Sequence, residues 1–407
     1  MRVFLVLNLC AAAAMAEWVP VGPDGGYIQA FAVNPQQANE LFAVSYDYPD
    51  NARLFSSTDA GASWTLTGRL PYYSIGWLAV DPFDADRLYA NARSNAIYCS
   101  DDGGANWTSH SLPGYAQAIE PDPQAEGKLY GGGYYYYNSN YRAALYVSTD
   151  YGSSWSVAMP QPESVNYCYS CAADPVHSGT VYIGASRGFI YRTTDSGASW
   201  TLANSGIPAT ASVQGLTVNA DGSAVLASTS SGIFRSTDSG GTWTLTTGSP
   251  TSATLVRFSP GDKERAWTLG RVDSIRVHVS TDGGATWIRP TPGYTTAKTA
   301  SLVPDPVTGS QAYLNTQTGI FRSTDMGGNW NEAHTGLRLA RISTISTGPE
   351  NSGRVYLEVS ENGVYKSSDR GTNWTRTNDF LSCGNICGIG VVFDTYTDIL
   401  YALEGSG

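Results

Sequence analysis

Eight aspartates in this 407-residue chain share one neighbourhood. Asp59, Asp102, Asp150, Asp195, Asp238, Asp282, Asp325 and Asp369 each follow a Ser or Thr by two residues, precede a Gly by two and precede a Trp by five. A carboxylate beside a hydroxyl could act as a general acid or base, or could ligate calcium through oxygen. The spacing argues against both. Successive aspartates lie 43, 48, 45, 43, 44, 43 and 44 residues apart, so the motif occurs once per structural unit. Eight equivalent sites around a repeat array cannot converge on one substrate, and most copies offer a single carboxylate, too few for calcium. The residue types suit a structural hairpin. Asp accepts hydrogen bonds from its own turn, Gly supplies positive φ, Ser or Thr adds a second local bond, and Trp buries a large flat surface in a seam.

Other chemistry is sparse. Of the four histidines, His110, His177, His278 and His334, none belongs to a Ser or Cys constellation or to a paired metal-ligand spacing. No phosphate loop or dinucleotide fingerprint occurs, so no cofactor is expected. The formal charge of −11 speaks against sequence-independent nucleic-acid binding, which needs Lys and Arg to neutralise phosphates. Cys383 and Cys387 bracket a short turn and could form a local disulfide. Cys168 and Cys171 enter a strand, where an offset of three sends side chains to opposite faces. A zinc site drawn from both pairs would join distant repeats, so no metal is expected.

The elements that position these residues are strands. Between Ala211 and Thr247 the sequence splits into four short alternating runs, a to d, with turns between them and the Asp motif joining c to d. Four antiparallel strands per forty-odd residues make one propeller blade. The fold expected is all-β: a propeller of four-stranded antiparallel blades, eight complete and a ninth partial. "EWVPVG" at 17–22 reads as a ninth strand d, and "GIGVVFD" with "DILYALE" as a ninth a and b, so that blade is expected to lack strand c, through either a truncated chain or a degenerate repeat. Residues 1–16, with Arg2, an apolar run and an Ala-Met-Ala cleavage site, read as a signal peptide. The mature chain, 17–407, is then one propeller, secreted or periplasmic, without a further stretch long enough to span a membrane.

The motif and its spacing resemble the Asp-box, or BNR, repeats of sialidases, sortilin-type receptors, xyloglucanases and the photosystem II assembly-factor propeller. The motifs cover residues 57–374. One fold carries unrelated activities, so the resemblance is tested residue by residue. Sialidases use an arginine triad whose first member sits in an Arg-Ile-Pro stretch, and none occurs here. Xyloglucanases match more closely. "VGPDGGYIQAFAVNP" resembles their Gly-rich opening, and "ELFAVSYDYPDNARLF" places Asp47 where their first blade carries a catalytic Asp at the end of strand b. Asp47 is followed by Tyr-Pro where that family has Gly-Gly. The family's second catalytic Asp comes from a second propeller, and the resemblance places only one of the two carboxylates that hydrolysis requires.

Propeller geometry puts the Asp motifs and a–b turns on one face and the b–c and d–a links on the other, around the tunnel mouth, where binding residues are expected. The b–c links hold Tyr46, Asp47, Arg93, Tyr134, Tyr135, Tyr136, Tyr137, Arg142, Arg187, Arg271, Asp273 and Glu361. The d–a links bring Tyr72, Tyr73, Tyr115, Tyr167 and Tyr294. "GGGYYYYNSNYR" at 131–142 lengthens the third unit and offers flat, amphipathic surface for sugars or a peptide. The leading expectation is a non-catalytic binding or scaffold propeller holding a protein, peptide or glycan at this mouth. The alternative is a xyloglucanase-type hydrolase using Asp47.

Overall fold

The computed structural model describes residues 28–45, 51–92, 94–137, 140–158, 167–271, 275–291, 295–296, 299–316, 319–333, 342–347, 355–359, 363–368, 374–376, 391–394 and 399–402. Among them the regular structure is strand, apart from one 3-10 turn at Ser186–Gly188. Each repeat folds into a four-stranded antiparallel sheet with its strands in chain order. In the fifth, strands a to d are Val213–Val218, Val225–Thr229, Gly232–Ser236 and Thr244–Leu245. Strand b is buried along its whole length, because neighbouring blades cover both of its faces, whereas strand d is exposed. A two-residue outer strand leaves little unpaired edge for another chain to extend.

The inner strands a, from blade 1 to blade 7, are Ile28–Val33, Trp77–Val80, Tyr115–Pro121, Cys168–Ala173, Val213–Val218, Ala253–Ser259 and Thr299–Pro304. Each packs on the next, and the seventh packs back on the first. The ring therefore closes at seven blades. Ile28, Phe31 and Trp64 of blade 1 share one core cluster with Tyr313, Ile320 and Ala333 of blade 7. Across this seam the Asn315 amide donates to the Ile28 carbonyl (3.0 Å) and Trp64 Nε1 donates to the Ala333 carbonyl (2.9 Å). The expectation of eight complete blades and a partial ninth is corrected to seven. Near-identical repeats give every blade the same adhesive faces, so the repeat count alone does not reveal which blade meets the first. The eighth repeat still forms a four-stranded sheet, Ile342–Thr347, Val355–Val359, Gly363–Ser367 and Thr375–Arg376. Its strands a and b pack on Val391–Asp394, which pairs with Ile399–Ala402. The closed ring leaves no position for this sheet. The stretch expected as a ninth strand d lies outside the described residues.

The repeated hairpin is self-contained. In blade 1 the Ser57 hydroxyl donates to Asp59 Oδ1 (2.7 Å) and accepts the Gly61 N–H (2.9 Å). Asp59 also accepts the backbone N–H and hydroxyl of Ser63. The same bonds recur around Asp102, Asp150, Asp195, Asp238, Asp282 and Asp325, with Ser, Thr or Asn four residues after the Asp. Both carboxylate oxygens are engaged within the turn. The bonds from Ser63 and then Ser57 hold the Asp59 carboxyl down at about 2. Asp369 lies outside the described residues. In six blades, all but the fifth, the residue after the Asp donates its N–H to the start of strand b or the a–b turn of its own blade, as Ala60 does to Asn39 (2.9 Å) and Met326 to Ser310 (2.9 Å), so hairpins and a–b turns share one face.

A bulge recurs near the start of strand a in blades 1, 3, 4, 5, 6 and 7 and in the eighth repeat. It reverses one expectation. The shift between Cys168 and Ser170 re-aims the strand, so Cys168 and Cys171 enter the same core cluster between blades 3 and 4 rather than opposite faces. Both are free thiols, and burial pushes the Cys168 thiol up to about 12. Cys383 and Cys387 lie outside the described residues.

Candidate functional site

The face opposite the hairpins carries the tyrosines. The insertion folds as a long two-stranded extension of blade 3, Leu129–Tyr137 paired with Asn140–Ser148. Alternation along a strand divides its side chains. Tyr134 and Tyr136 take one side, where Tyr134 stacks on Tyr115, the first residue of strand a of the same blade, at 5.3 Å and 16°. It also meets the edges of Tyr141 (5.4 Å) and Tyr167 (5.1 Å). Tyr136 packs on Tyr141, and Tyr167 on Tyr169. Tyr115, Tyr136 and Tyr141 remain 42%, 65% and 46% exposed. The Tyr146 hydroxyl donates to the Tyr134 carbonyl (2.8 Å) and holds the extension against the blade.

Tyr135 and Arg142 sit across from each other on the other side. Tyr135 packs on the core between blades 2 and 3, and Arg142 Nε is buried without a hydrogen-bond partner. Those two residues are thus separated from the exposed tyrosines. Arg187 is exposed, in the 3-10 turn of blade 4, with φ 60°. Tyr137 and Arg271 end their strands. Tyr46, Asp47, Arg93, Asp273, Glu361 and Tyr294 lie outside the described residues.

The flanks of the Asp47 stretch are described. Gln29, on the inner strand of blade 1, donates through its amide to the carbonyls of Ser45 (3.4 Å) and Tyr73 (3.1 Å) and accepts the Ile75 N–H (2.7 Å). Arg53 N–H donates to Ser45 Oγ (3.1 Å), and Ala52 N–H to the Tyr72 carbonyl (3.0 Å). Both ends of the 46–50 stretch are therefore tied to the Tyr72–Tyr73 link, whose rings stack at 4.6 Å.

The arrangement can present ring faces and hydroxyls to a sugar or peptide. No group of three or more His, Cys, Asp or Glu suited to a metal is found among the described residues. Sequence reasoning missed Tyr169, which stacks on Tyr167 two residues before it, on the same side of the strand. It also missed the buried carboxylates that close the a–b turns, such as Asp81 under the Tyr89 hydroxyl (2.7 Å) and Asp122 under Tyr130 (3.1 Å). Their signal was the recurring Asp-Pro after strand a, at Asp81, Asp122, Asp174 and Asp305.

The fold and mouth define an all-β propeller of antiparallel four-stranded blades. No family model matches the sequence. The chain is 29% identical over 176 residues to a xyloglucanase of Hypocrea jecorina, covering 33% of this chain and 20% of that protein. It is 30% identical over 213 residues to a xyloglucanase of a Paenibacillus species, covering 46% and 18%. The matched segments thus span about a fifth of the length of these relatives. Among solved structures, an ancestral GH74 enzyme superposes with a TM-score of 0.74 at 16% identity, over 97% of this chain and 60% of the other. YCF48 from Cyanidioschyzon merolae superposes at 0.52 and 15% identity, over 74% and 96%. These superpositions show the fold alone. The sequence relatives overturn the leading expectation of a non-catalytic binding or scaffold propeller, because the curated proteins it matches are xyloglucanases. No helix among the described residues is long and apolar enough to cross a membrane.

Proposed function

We propose that this chain is a glycoside hydrolase, or the propeller part of one, acting on xyloglucan outside the cell. The observation that carries the reading is the local sequence match to xyloglucanases of both fungal and bacterial origin. The mouth supports it chemically. Tyr115, Tyr134, Tyr136, Tyr141, Tyr167 and Tyr169 offer flat faces to sugar rings, and Tyr72 and Tyr73 adjoin the Asp47 stretch. Asp47 supplies one carboxylate, general base or general acid across the glycosidic bond. A second carboxylate within about 10 Å completes the reaction. The repeated aspartates take no part, since their oxygens are committed to their own turns on the opposite face. Under this reading the tunnel-mouth loops select the glycan, and the hairpins hold the ring that positions them.

The test pairs binding with turnover. Affinity electrophoresis in xyloglucan should retard the wild-type chain, with cellulose and starch derivatives as comparators. Reducing-end release from xyloglucan should fall at least about 100-fold in Asp47→Ala while retardation persists. Absence of any xyloglucan retardation would overturn the proposal. Hydrolysis surviving in Asp47→Ala would move the catalytic carboxylate elsewhere.

A further inference from the structure

The bulge of strand a has a fixed place. In blades 1, 3, 4, 5 and 6 the unpaired residue is Gln29, Gln117, Tyr169, Gln214 and Thr254. Each stands five positions before the buried residue that closes the a–b turn, Asn34, Asp122, Asp174, Asn219 or Ser259, so the five form one layer. Neighbouring blades cover both faces of an inner strand and strand b covers its outer edge. A side chain turned out by a bulge therefore meets solvent only along the axis. Burial follows this rule. Gln117, Gln214 and Thr254 are exposed, while the residue before each, Ala116, Val213 and Ala253, is buried.

The layer lies at the mouth end of the tunnel. The Gln29 amide reaches the Tyr73 carbonyl in the d–a link of blade 2 (3.1 Å) and the Ser45 carbonyl at the end of strand b (3.4 Å). Tyr169 joins the layer to the tyrosine cluster by stacking on Tyr167 at 6.3 Å. Gln117 and Gln214 stand on the strands to either side of Tyr169, each packed on strand a of blade 4. The layer continues into blade 6. A Cβ at Gly215 would stand 3.4 Å from the Val256 N and 3.7 Å from the Leu255 Cα, so the strands carrying Gln214 and Thr254 run side by side just past their bulges. Gln29 commits its amide to the backbone of the mouth. Gln117 and Gln214, at equivalent positions, make no side-chain hydrogen bond among the described residues. None of the five side chains carries a charge. Two open amides flanking an aromatic ring suit an uncharged polyol. Each amide offers both a donor and an acceptor to neighbouring hydroxyls, and the ring takes the C–H face of a sugar.

We propose that the bulge layer binds the terminal unit of a neutral glycan, with the sugar stacked on Tyr169 and its hydroxyls bonded to Gln117 and Gln214. The inference rests on the glycan reading above and adds to it a specificity site on the ring axis. The closed ring surrounds this layer, so a glycan reaches it end-on, and the rest of the chain runs out over the tyrosines of the mouth. Gln117 and Gln214 then determine specificity and take no part in bond cleavage.

The test is calorimetry of the full chain with a xyloglucan oligosaccharide, beside thermal unfolding of each protein without ligand. Gln117→Ala and Gln214→Ala should each weaken binding about five- to tenfold, and the double variant more than about 30-fold. Tm should stay within about 1 °C of the wild type in all three, because neither amide holds any part of the fold. Gln214→Asn, which keeps the amide on a shorter stem, should recover part of the affinity lost in Gln214→Ala. No binding by the wild type would overturn the glycan reading and this site with it. Binding by the wild type that persists undiminished in the double variant would overturn this site alone. Loss of affinity together with a Tm lower by several degrees would overturn it as well, by assigning the glutamines to the fold.

Discussion

Trp64 Nε1 donates to the carbonyl of Ala333, 269 positions later in the chain, at 2.9 Å. Trp200 and Trp243 make the equivalent bond to Ala158 and Ala203, each just after strand d of the preceding blade. Blade 7 therefore stands to blade 1 as blade 3 stands to blade 4. The ring is closed by the same contact that joins blade 3 to blade 4 and blade 4 to blade 5.

That equivalence can be measured. Trp287 is buried at the same motif position, but its Nε1 has no partner. Trp64→Phe and Trp287→Phe remove similar ring volume, and only the first breaks a hydrogen bond and strands a buried carbonyl. Trp64→Phe should cost about 1–3 kcal/mol more than Trp287→Phe in denaturant unfolding. Equal costs would mean that the seam between blades 7 and 1 does not use this bond.

The backbone of the hairpin suggests a stabilising change. Ala60, Tyr151, Ser196, Ser239 and Met326 all follow the motif Asp with φ between 57° and 62°, where Gly103 and Gly283 stand in other repeats. Such a conformation disfavours any residue with a Cβ. Ala60 makes its turn contact through the backbone, so Ala60→Gly should raise stability by about 0.5–1 kcal/mol, after allowing for the larger unfolded-state freedom of glycine. An unchanged or lower unfolding midpoint would refute the strain argument.

Much of this was legible because each repeat encodes its blade locally. Ser57, Asp59, Gly61 and Trp64 sit within eight residues, and their bonds follow from side-chain reach alone. The seven-blade closure was not legible, because Trp64 and Ala333 meet through curvature accumulated over the whole ring. The split between Tyr134 and Tyr135 follows from strand alternation, once the insertion is known to be a strand pair. The shared seam of Cys168 and Cys171 required a bulge, which leaves no mark in a period-two reading. The function was misweighed for a different reason: a hairpin motif that reports architecture carries no information about loops on the far face.

The hairpin carboxylates also set an acid limit. The depressed Asp59 carboxyl contributes stability that is present above its ordinary value of 3.8 and is lost as pH falls toward about 2. Ser57 contributes by donating to Asp59 while accepting the buried Gly61 N–H. Ser57→Ala should cost about 1–2 kcal/mol at neutral pH and shift acid unfolding to higher pH. A midpoint unchanged on acid titration would show that the turn holds without its hydroxyl.

Glu120 gives the opposite sign at higher pH. Its folded-state carboxyl lies above its ordinary 4.5, at about 7, because enclosure outweighs the attraction of Arg257. Its contribution to stability is full below 4.5 and is lost as pH rises through 7. Relative to the wild type, Glu120→Gln should gain stability across that window, on the order of 3 kcal/mol by pH 8. Parallel stability–pH curves for the two proteins would show that Glu120 titrates normally.

The tyrosine surface yields the prediction closest to function. Tyr134 is the hub of its cluster, with one face on Tyr115 and edges from Tyr141 and Tyr167. Removing its ring takes away stacking area and also unseats three neighbours, so Tyr134→Ala should weaken xyloglucan binding roughly tenfold, the loss of about one to two good aromatic contacts. Tyr134→Phe keeps the ring and should bind within about twofold of the wild type. Tyr135→Ala, in the seam between blades 2 and 3, should lower the unfolding midpoint and leave affinity nearly unchanged. Calorimetry with a xyloglucan oligosaccharide reads all three. Wild-type affinity in Tyr134→Ala would mean that the cluster only braces the extension, and that the glycan is held instead beside Tyr72 and Tyr73.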